Sequence, residues 1–426
     1  MAHIVFTTWG SLGDLHPYLT LALELKARGH DAIVATLPTA RGNVERAGLE
    51  FRPIRPDVPI EDPGSREIVR KILDERTGPE FLFTQVFAPH MRETYDDTLA
   101  AVKGADLLVS HQLPITSPIV AEQTGIKWVS GVVAPMGFLS GYDPPTLPHA
   151  PWLRQVGLWH PAIGGAIRQL ARVLTKPWLE SWYRLRKDLG MPPDGHPLFE
   201  GQHSPSCVLA LFSRLLAEKQ PDYPPQTVIT GFPFYDAAPQ HPPNPDLLRF
   251  LDDGEPPIVF TLGSSAVWIA DDFYPVSIAA ARALGRRALL LAGEDADAIR
   301  AHAPDGIGVF DYAPHGIVMP RAGVIVHQGG IGTTAQALRA GRPTLIVPFG
   351  QDQPDNARRV VSLGVARTIP RGGYRIDRVI SELSALLSDP SYAERAAAVG
   401  RQIHAERGVQ TACDSIERVL VGSRSS

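Results

Sequence analysis

The residues best suited to chemistry lie in one stretch of the second half of the chain. A predicted buried strand, 324–326, runs into a glycine-rich turn that opens a helix near Gly332. Backbone N–H groups at a helix start, with the positive end of the helix dipole behind them, form a binding site for an anion. Glycine lets a phosphate approach the backbone closely. The sequence therefore predicts a phosphate site in the turn His327-Gln328-Gly329-Gly330-Ile331-Gly332-Thr333-Thr334.

A second predicted strand, 344–347, ends in a loop that carries Asp352 and Gln353. These two polar side chains are suited to holding the hydroxyl groups of a sugar. Parallel strands bring their carboxyl ends to one edge of a sheet, where ligands bind. One segment thus offers a diphosphate site and a sugar site together.

This stretch resembles the donor-binding signature of glycosyltransferase family 1. It is most similar to the bacterial rhamnosyltransferase, sterol and antibiotic glucosyltransferase branch, where His-x-Gly-Gly-x-Gly-Thr and Asp-Gln-Pro recur. The resemblance extends over nearly the whole chain and is strongest in residues 310–360. It implies the α/β GT-B fold, in which two doubly wound Rossmann-like domains face each other across a cleft.

The resemblance also implies roles for the donor-site residues. Tyr312 would stack on the nucleobase, and backbone groups at Ala313 would read its edge. His327 and the N–H groups of the turn would hold the diphosphate, with Ser264 contributing from another loop. The expected donor site is Ser264, Tyr312, Ala313, His327, Gly329, Gly330, Gly332, Thr333, Thr334, Asp352 and Gln353.

One departure from the family concerns the ribose. Many members carry a glutamate eight residues after the signature histidine, and this chain has Ala335 there. The choice between a uridine and a thymidine nucleotide therefore stays open, with UDP-glucose favoured and TDP-rhamnose next.

The expected base that activates the acceptor is Asp14, at a position where the antibiotic and sterol branches also carry an aspartate. A carboxylate within hydrogen-bond reach of a hydroxyl can take its proton. The helix predicted at 17–28 would lower the pKa of Asp14 and weaken it as a base. A helix-capping role is the alternative. His16 is the second candidate, because the ordinary pKa of histidine suits the task better.

The strand 107–110 ends at His111, where family members with a histidine base carry an acid. An aspartate base needs no such partner, so His111 is expected near the acceptor. Met136 and Phe138 are further candidates for acceptor contacts, although such apolar residues also build cores.

Composition describes a soluble globular protein of two domains. The chain has 426 residues, 44% of them hydrophobic and 20% charged, with a net charge of -4. This charge implies no bulk attraction to nucleic acid or anionic membrane. Two distant cysteines argue against a disulfide framework or zinc site. No signal peptide and no membrane-spanning run is seen, so a cytoplasmic protein without a stable membrane anchor is expected. Oligomeric state is not visible.

The domains are predicted at 1–234 and 258–408, with a Pro- and Asp-rich linker at 235–257. Residues 409–426 are predicted to form a helix that crosses back to the first domain, as in the family. The segment 152–187 is rich in aromatic and basic residues. It marks either a lipid-facing surface or core anchors with a solvated opposite face, and the second interpretation is preferred.

The resemblance thus implies an inverting glycosyltransferase without metal or cofactor, moving a hexose to a hydrophobic phenolic, terpenoid, sterol or hydroxy-lipid. No Asp-x-Asp stands in a context that suggests a metal-bound diphosphate. Two other classes remain open. One is a sugar-nucleotide epimerase of the same architecture, and the other is a non-catalytic protein that binds sugar nucleotides.

Overall fold

The computed structural model describes residues 1–58, 63–236 and 244–422. The chain forms two compact units. Unit 1 holds Met1–Ile60, Arg76–Tyr235 and Glu406–Ser426, and unit 2 holds Glu61–Glu75 and Asp236–Ala405.

Unit 1 is built on a parallel sheet of seven strands in the order β3-β2-β1-β4-β5-β6-β7. Its central strands are apolar on both faces, as expected for a sheet that is covered on both sides. The strands are β1 His3–Thr7, β2 Asp31–Thr36, β3 Glu50–Pro53, β4 Leu107–Ser110, β5 Lys127–Val132, β6 Val208–Ala210 and β7 Thr227–Ile229.

The helices of the first half of the chain vary from four residues in α4 to 16 in α1. A π-helical turn, Leu82–Phe87, precedes α5. The helices of the first 235 residues are α1 Leu12–Ala27, α2 Arg41–Arg46, α3 Arg66–Ile72, α4 Gly78–Phe81, α5 Met91–Ala101, α6 Ser117–Thr124, α7 Trp152–Gly157, α8 Pro161–Thr175 and α9 Glu180–Asp188.

Unit 2 has a parallel sheet of six strands in the order β10-β9-β8-β11-β12-β13. The strands are β8 Ile258–Thr261, β9 Ala288–Leu291, β10 Ile307–Phe310, β11 Val324–His327, β12 Thr344–Ile346 and β13 Ala366–Thr368. The helices from residue 244 onwards are α10 Pro245–Asp252, α11 Gly263–Ala266, α12 Phe273–Ala283, α13 Ala296–Arg300, α14 His315–Val318, α15 Ile331–Ala340, α16 Gln353–Ser362, α17 Ile376–Ser388, α18 Pro390–Ala405 and α19 Gly408–Val421.

Each sheet contains one point where the strand order reverses. In unit 1 the chain moves outward from β1 on one side through β2 and β3, and then restarts on the other side with β4. In unit 2 the same reversal separates β8 from β11. Loops that leave neighbouring strands at such a point turn to opposite sides and leave a crevice, which is where ligands bind in open α/β sheets.

The predicted α/β fold class is confirmed, and most predicted strands lie within one residue of those observed. Three predictions about local organisation are wrong. Helix α1 begins at Leu12, five residues before the predicted start at Pro17. The predicted linker 235–257 contains α10, whose Leu247 and Leu251 belong to the core of unit 2. Of that linker, residues 237–243 lie outside the described residues.

The third wrong prediction is the continuous first domain 1–234, which α3 interrupts. The segment Glu61–Glu75 comes from the first half of the chain but is part of unit 2. The arginines of α3 form two ion pairs there, Arg66 with Asp295 at 3.2 Å and Arg70 with Asp271 at 3.0 Å. Helix α19 shows the opposite case: it follows unit 2 in the sequence but packs on α1 and β5 of unit 1. In the part of the chain that the structure describes, no helix is long and apolar enough to cross a membrane.

Helix α19 is held in unit 1 by buried apolar residues and by one arginine. Ala412, Cys413 and Ile416 are fully buried. The Arg28 guanidinium of α1 donates to Asp414 at 2.6 Å and to Glu417 at 2.7 Å. The last helix is therefore part of the hydrophobic core of unit 1.

Replacing Ile416 by alanine tests this packing. We expect Ile416→Ala to lower the free energy of unfolding by about 2–5 kcal/mol, because the lost side chain leaves a cavity. Val421 lies on the same helix and is 65% exposed. Val421→Ala is the matched control and should stay within about 0.5 kcal/mol of the parent. Calorimetric unfolding of both variants makes the comparison, and equal losses would contradict the packing described here.

Candidate active site

The glycine-rich turn between β11 and α15 forms an open helix N-terminus. Gly330 is the N-cap of α15, and the N–H of Thr334 already donates to the Gly330 carbonyl at 2.9 Å. The first-turn donors that remain are the N–H groups of Ile331, Gly332 and Thr333. The prediction that the N–H of Thr334 is a free donor is therefore wrong, and that of Ile331 takes its place.

Gly329 allows this turn to form. Its φ of +91° lies in the left-handed region, and a side chain there would meet Ile346 Cγ2 at 2.9 Å. Only glycine fits both constraints.

His327 is fully buried at the end of β11, and its two ring nitrogens differ in their surroundings. Nδ1 accepts a hydrogen bond from the N–H of Gly329 at 3.0 Å. The ring proton is therefore on Nε2, which has no hydrogen-bond partner among the described residues. Burial, with a smaller effect from His315, lowers the pKa of His327 to about 3. At neutral pH, His327 is a neutral N–H donor.

Three more buried polar atoms without a partner among the described residues surround this turn: Gln328 Oε1, Thr334 Oγ1 and Asn356 Oδ1. A buried polar atom that makes no hydrogen bond is costly, by about 1–3 kcal/mol. Their concentration beside an open helix N-terminus is the pattern of a site that is completed by a ligand.

The loop after β8 reaches the same turn. A side-chain carbon at Gly263 would lie 2.4 Å from Gln328 Nε2 and 3.2 Å from Thr333 Oγ1. This close approach brings the loop that carries Ser264 against the turn, as the reversal of strand order between β8 and β11 requires.

Tyr312 and Ala313 follow β10. The Tyr312 side chain is 70% exposed, so the faces of its ring are open to a stacking partner. Ala313 is buried in the core of unit 2, which anchors the backbone at this point.

The loop after β12 carries Asp352, the residue that precedes α16, and Asn356 holds its carboxylate in place. The Asn356 amide donates to Asp352 Oδ2 at 2.7 Å and to the Gly329 carbonyl at 3.0 Å. One side chain therefore links the predicted sugar-binding carboxylate to the glycine-rich turn. The sequence analysis missed Asn356, although it stands at helical spacing, four residues after Asp352.

The side chain of Gln353 stabilises the loop after β12. Its Oε1 accepts hydrogen bonds from the N–H groups of Phe349 at 2.8 Å and Gly350 at 3.3 Å. Only the amide nitrogen of Gln353 remains to face a sugar.

The segment that follows α3 supports this loop from outside. The Gln351 amide donates to the carbonyl of Ile72. A side chain at Gly350 would lie 2.3 Å from the carbonyl of Leu73. No local pattern in the sequence around Ile72 and Leu73 indicates this contact with the loop that carries Asp352.

Asp14 lies in the first turn of α1, where it caps the helix. Its Oδ2 accepts from the Ser11 N–H at 2.9 Å and from the Ser11 hydroxyl at 3.1 Å. This is a capping box, and it explains why α1 begins before Pro17. Burial raises the pKa of Asp14 to about 6, against the two Ser11 hydrogen bonds that lower it. The expectation of a lowered pKa is therefore wrong.

His111 and Asp14 come together at the strand-order reversal of unit 1. His111 Nε2 lies 3.7 Å from Asp14 Oδ1, and the His111 side chain is buried. Burial lowers the pKa of His111 to about 4, so the ring is neutral at pH 7. The structure thus gives Asp14 a histidine neighbour where the sequence analysis expected none to be needed.

His16 stacks on Tyr235, with ring centroids 4.7 Å apart. Burial lowers its pKa to about 4. The pKa of Asp14 is thus closer to neutrality than that of His16, which reverses the order expected from the ordinary values.

Of the other acceptor candidates, Phe138 is a packing residue. It is buried, and its ring stacks on Tyr223 with centroids 3.9 Å apart and on His203 at 5.4 Å. Phe138 was predicted to contact the acceptor, and the structure places it in the core instead. Met136 is half-buried in the same 3₁₀ turn, Pro135–Phe138.

Two family models match the chain. Residues 286–415 match the model described as "Erythromycin biosynthesis protein CIII-like, C-terminal domain". Residues 4–135 match the "Glycosyltransferase family 28 N-terminal domain".

The chain is 32% identical to the O-mycaminosyltylonolide 6-deoxyallosyltransferase of Streptomyces fradiae, over 97% of this chain and 96% of that protein. It is 26% identical to the sterol 3-beta-glucosyltransferase of Leptosphaeria maculans, over 99% of this chain. The chain spans only 29% of the length of that second relative.

Solved structures share the fold over nearly the whole chain. The glycotransferase of kitacinnamycin has a TM-score of 0.72 at 24% identity and covers 98% of this chain and 99% of its own. The glycosyltransferase VinC, solved in complex with DTDP, has a TM-score of 0.69 at 19% identity, with the same coverage.

The role of Asn356 can be tested by binding. We expect Asn356→Ala to weaken binding of a nucleoside diphosphate and of its sugar derivative by about 10-fold or more, because it frees both Asp352 and the Gly329 carbonyl. Asp352→Ala should weaken only the sugar derivative.

Titration calorimetry with UDP, TDP and their hexose derivatives separates the two effects. Asn244→Ala, which removes the cap of α10 in the same unit, is the matched control and should bind like the parent. Unchanged binding in Asn356→Ala would show that this residue does not position the site.

Proposed function

The chain belongs to glycosyltransferase family 1, with the GT-B fold, and we propose that it transfers a hexose from a nucleoside-diphosphate sugar to a hydroxyl group of a hydrophobic natural product. That it is a glycosyltransferase follows from its family membership. The donor, the acceptor, the stereochemical course and the role of each residue are the proposal.

The observation that carries the proposal is the cluster of unpartnered polar groups at the β11–α15 turn. The N–H groups of Ile331, Gly332 and Thr333 and the Nε2–H of His327 are donors that suit a diphosphate. His327 donates while uncharged, since its pKa is lowered to about 3. Such fixed donors stabilise the negative charge that grows on the leaving diphosphate as the glycosidic bond breaks.

We propose thymidine diphosphate as the first nucleotide to test, ahead of the UDP expected from the sequence. Ala335 is buried where many family members carry a ribose-binding glutamate. A thymidine nucleotide has no 2′-hydroxyl, so the absence of that carboxylate costs it less binding free energy than it costs a uridine nucleotide. The names of the relatives agree, since one transfers a 6-deoxyallosyl group and VinC was solved with DTDP. UDP-glucose is second, in line with the sterol glucosyltransferases.

Acceptor activation is assigned to Asp14. The acceptor oxygen attacks the anomeric carbon, the bond from that carbon to the diphosphate oxygen breaks, and Asp14 Oδ1 receives the hydroxyl proton. Oδ2 is engaged by Ser11, whereas Oδ1 is directed to the neutral His111 at 3.7 Å. A single displacement of this kind inverts the anomeric centre. A polyketide aglycone or a sterol is the proposed acceptor class, from the names of the relatives.

We propose that neither a metal nor a resident cofactor takes part. The donors of the β11–α15 turn would meet the charge of the leaving group. Activity should therefore survive a chelator.

The first experiment is nucleotide release across a matrix of donors and acceptors. TDP-rhamnose, TDP-glucose, UDP-glucose and UDP-galactose are each incubated with and without a pool of macrolide aglycones, sterols and phenols, with EDTA present throughout. Release that depends on one acceptor supports transfer, and mass spectrometry of the product identifies the sugar. Conversion of the donor without an acceptor and without nucleotide release would instead indicate an epimerase.

The pH dependence tests Asp14 as the base. Because the carboxylate is the active form and its pKa is about 6, kcat/KM should fall about tenfold per pH unit below pH 6. Asp14→Asn should remove this acid limb and lower turnover at least ~100-fold. His16→Ala should keep the limb. Near-parental turnover in Asp14→Asn, together with loss in His16→Ala, would assign the base to His16.

A further inference from the structure

Helices α7 and α8 of unit 1 present an apolar face to solvent. Six large apolar side chains in these helices and the turn between them are exposed, with fractions from 44% at Leu158 to 76% at Trp159, and we refer to them together as the apolar face: Trp152, Leu158, Trp159, Leu170, Val173 and Leu174. Leu170, Val173 and Leu174 share one side of α8, because residues three and four apart are neighbours on a helix. The preferred interpretation of this segment as core anchors is right for Trp182, which is buried, and wrong for Trp152 and Trp159.

This exposure does not come from a loosely packed helix. The inner side of α8 is held so closely that a side-chain carbon at Gly164 would lie 2.0 Å from the carbonyl oxygen of Gly141. The loop beneath it is fixed by Asp222, which accepts from the Ser140 hydroxyl at 2.6 Å and from the Gly141 N–H at 2.7 Å. Because the inner side of α8 is packed against this loop, the opposite side, with Leu170, Val173 and Leu174, faces solvent.

Within the segment that carries the face the charged residues are cations, and the carboxylates Asp143 and Glu180 stand at its two ends. Residues 144–179 contain four Lys or Arg residues and no Asp or Glu, although the whole chain has a net charge of -4. Two of the arginines are balanced by neighbours, Arg154 by Asp143 and Arg172 by Glu200. The other two cations lie over aromatic rings: Lys176 Nζ is 5.5 Å from the centroid of Tyr183, and the Arg168 guanidinium is 5.4 Å from that of Phe199.

We propose that this apolar face docks on the surface of an anionic lipid membrane. An apolar helix side with exposed tryptophans and flanking cations is the arrangement that lies in the interfacial region of a bilayer, with the apolar side chains inserted and the cations at the headgroups. A second copy of the chain is a poorer occupant, since it would bring cationic borders of like sign together. The inference concerns a surface, so it is independent of the proposed donor and acceptor.

Vesicle flotation tests the proposal. The full chain should float with vesicles of phosphatidylcholine mixed with phosphatidylglycerol, and much less with phosphatidylcholine alone or at high salt. The double substitution Trp159→Ser with Leu174→Ser should lower the bound fraction at least ~10-fold, because each side chain contributes buried apolar area in the membrane. Lys176→Gln should reduce only the preference for anionic vesicles.

The matched control is Val421→Ser, which removes an apolar side chain of similar exposure elsewhere in unit 1 and should float like the parent. Circular dichroism and a cooperative thermal transition confirm that each variant is folded. If the double variant fails to fold, Lys176→Gln and the salt series carry the test.

Three results would overturn the proposal. One is no flotation of the parent with anionic vesicles, and another is equal flotation of the parent and the double variant. The third is a dimer that depends on Trp159 and Leu174 in light scattering without lipid, which would assign the face to a second copy. A higher acceptor KM in the double variant with unchanged flotation would assign the face to acceptor capture.

Discussion

The pairing of neighbouring parallel strands at the strand-order reversal of each sheet is the constraint on which both candidate sites depend. Strands β1 and β4, and strands β8 and β11, lie side by side, so the loops that follow them start from the same edge of their sheet. In unit 1 this geometry brings Asp14 and His111 within 3.7 Å although they are 97 positions apart in the sequence. In unit 2 it places Gly263 against Gln328 and Thr333. Polar residues that no local sequence pattern links therefore become neighbours through the topology of the sheet.

The candidate donor site in unit 2 is organised by hydrogen bonds within the protein. Gly329 donates to His327, Asn356 donates to Gly329 and Asp352, and Gln353 accepts from the loop after β12. These bonds orient the groups that remain unpaired, so that little reorganisation is needed when charge develops. The unpaired groups lower the stability of unit 2, and the apolar sheet below them offsets that loss. Stability and function are thus divided between the core and the carboxyl edge of the same strands.

Much of this could be predicted from sequence, because its signals are local. The resemblance carried by residues 310–360 indicated the fold, and the glycine-rich turn after β11 predicts a phosphate site, which stays a prediction. What was missed depends on tertiary context. The capping box of Ser11 and Asp14 outweighed the proline signal at Pro17, and desolvation outweighed the helix dipole in setting the pKa of Asp14. The histidine neighbour of Asp14, the linking role of Asn356 and the packing role of Phe138 all depend on contacts between distant segments, which periodicity and composition do not encode.

The placement of α3 bears on how such enzymes can be recombined. The simplest hybrid of two related chains joins the first half of one to the second half of the other. In this chain, Arg66 and Arg70 of α3 pair with Asp295 and Asp271, and the backbone at Ile72 and Leu73 supports the loop before Asp352. A hybrid cut near residue 235 would put this helix on a foreign surface and remove the native support of the sugar loop. Unit 2 is therefore discontinuous in sequence, and an exchange that keeps it intact has to move residues 61–75 together with residues 236–405.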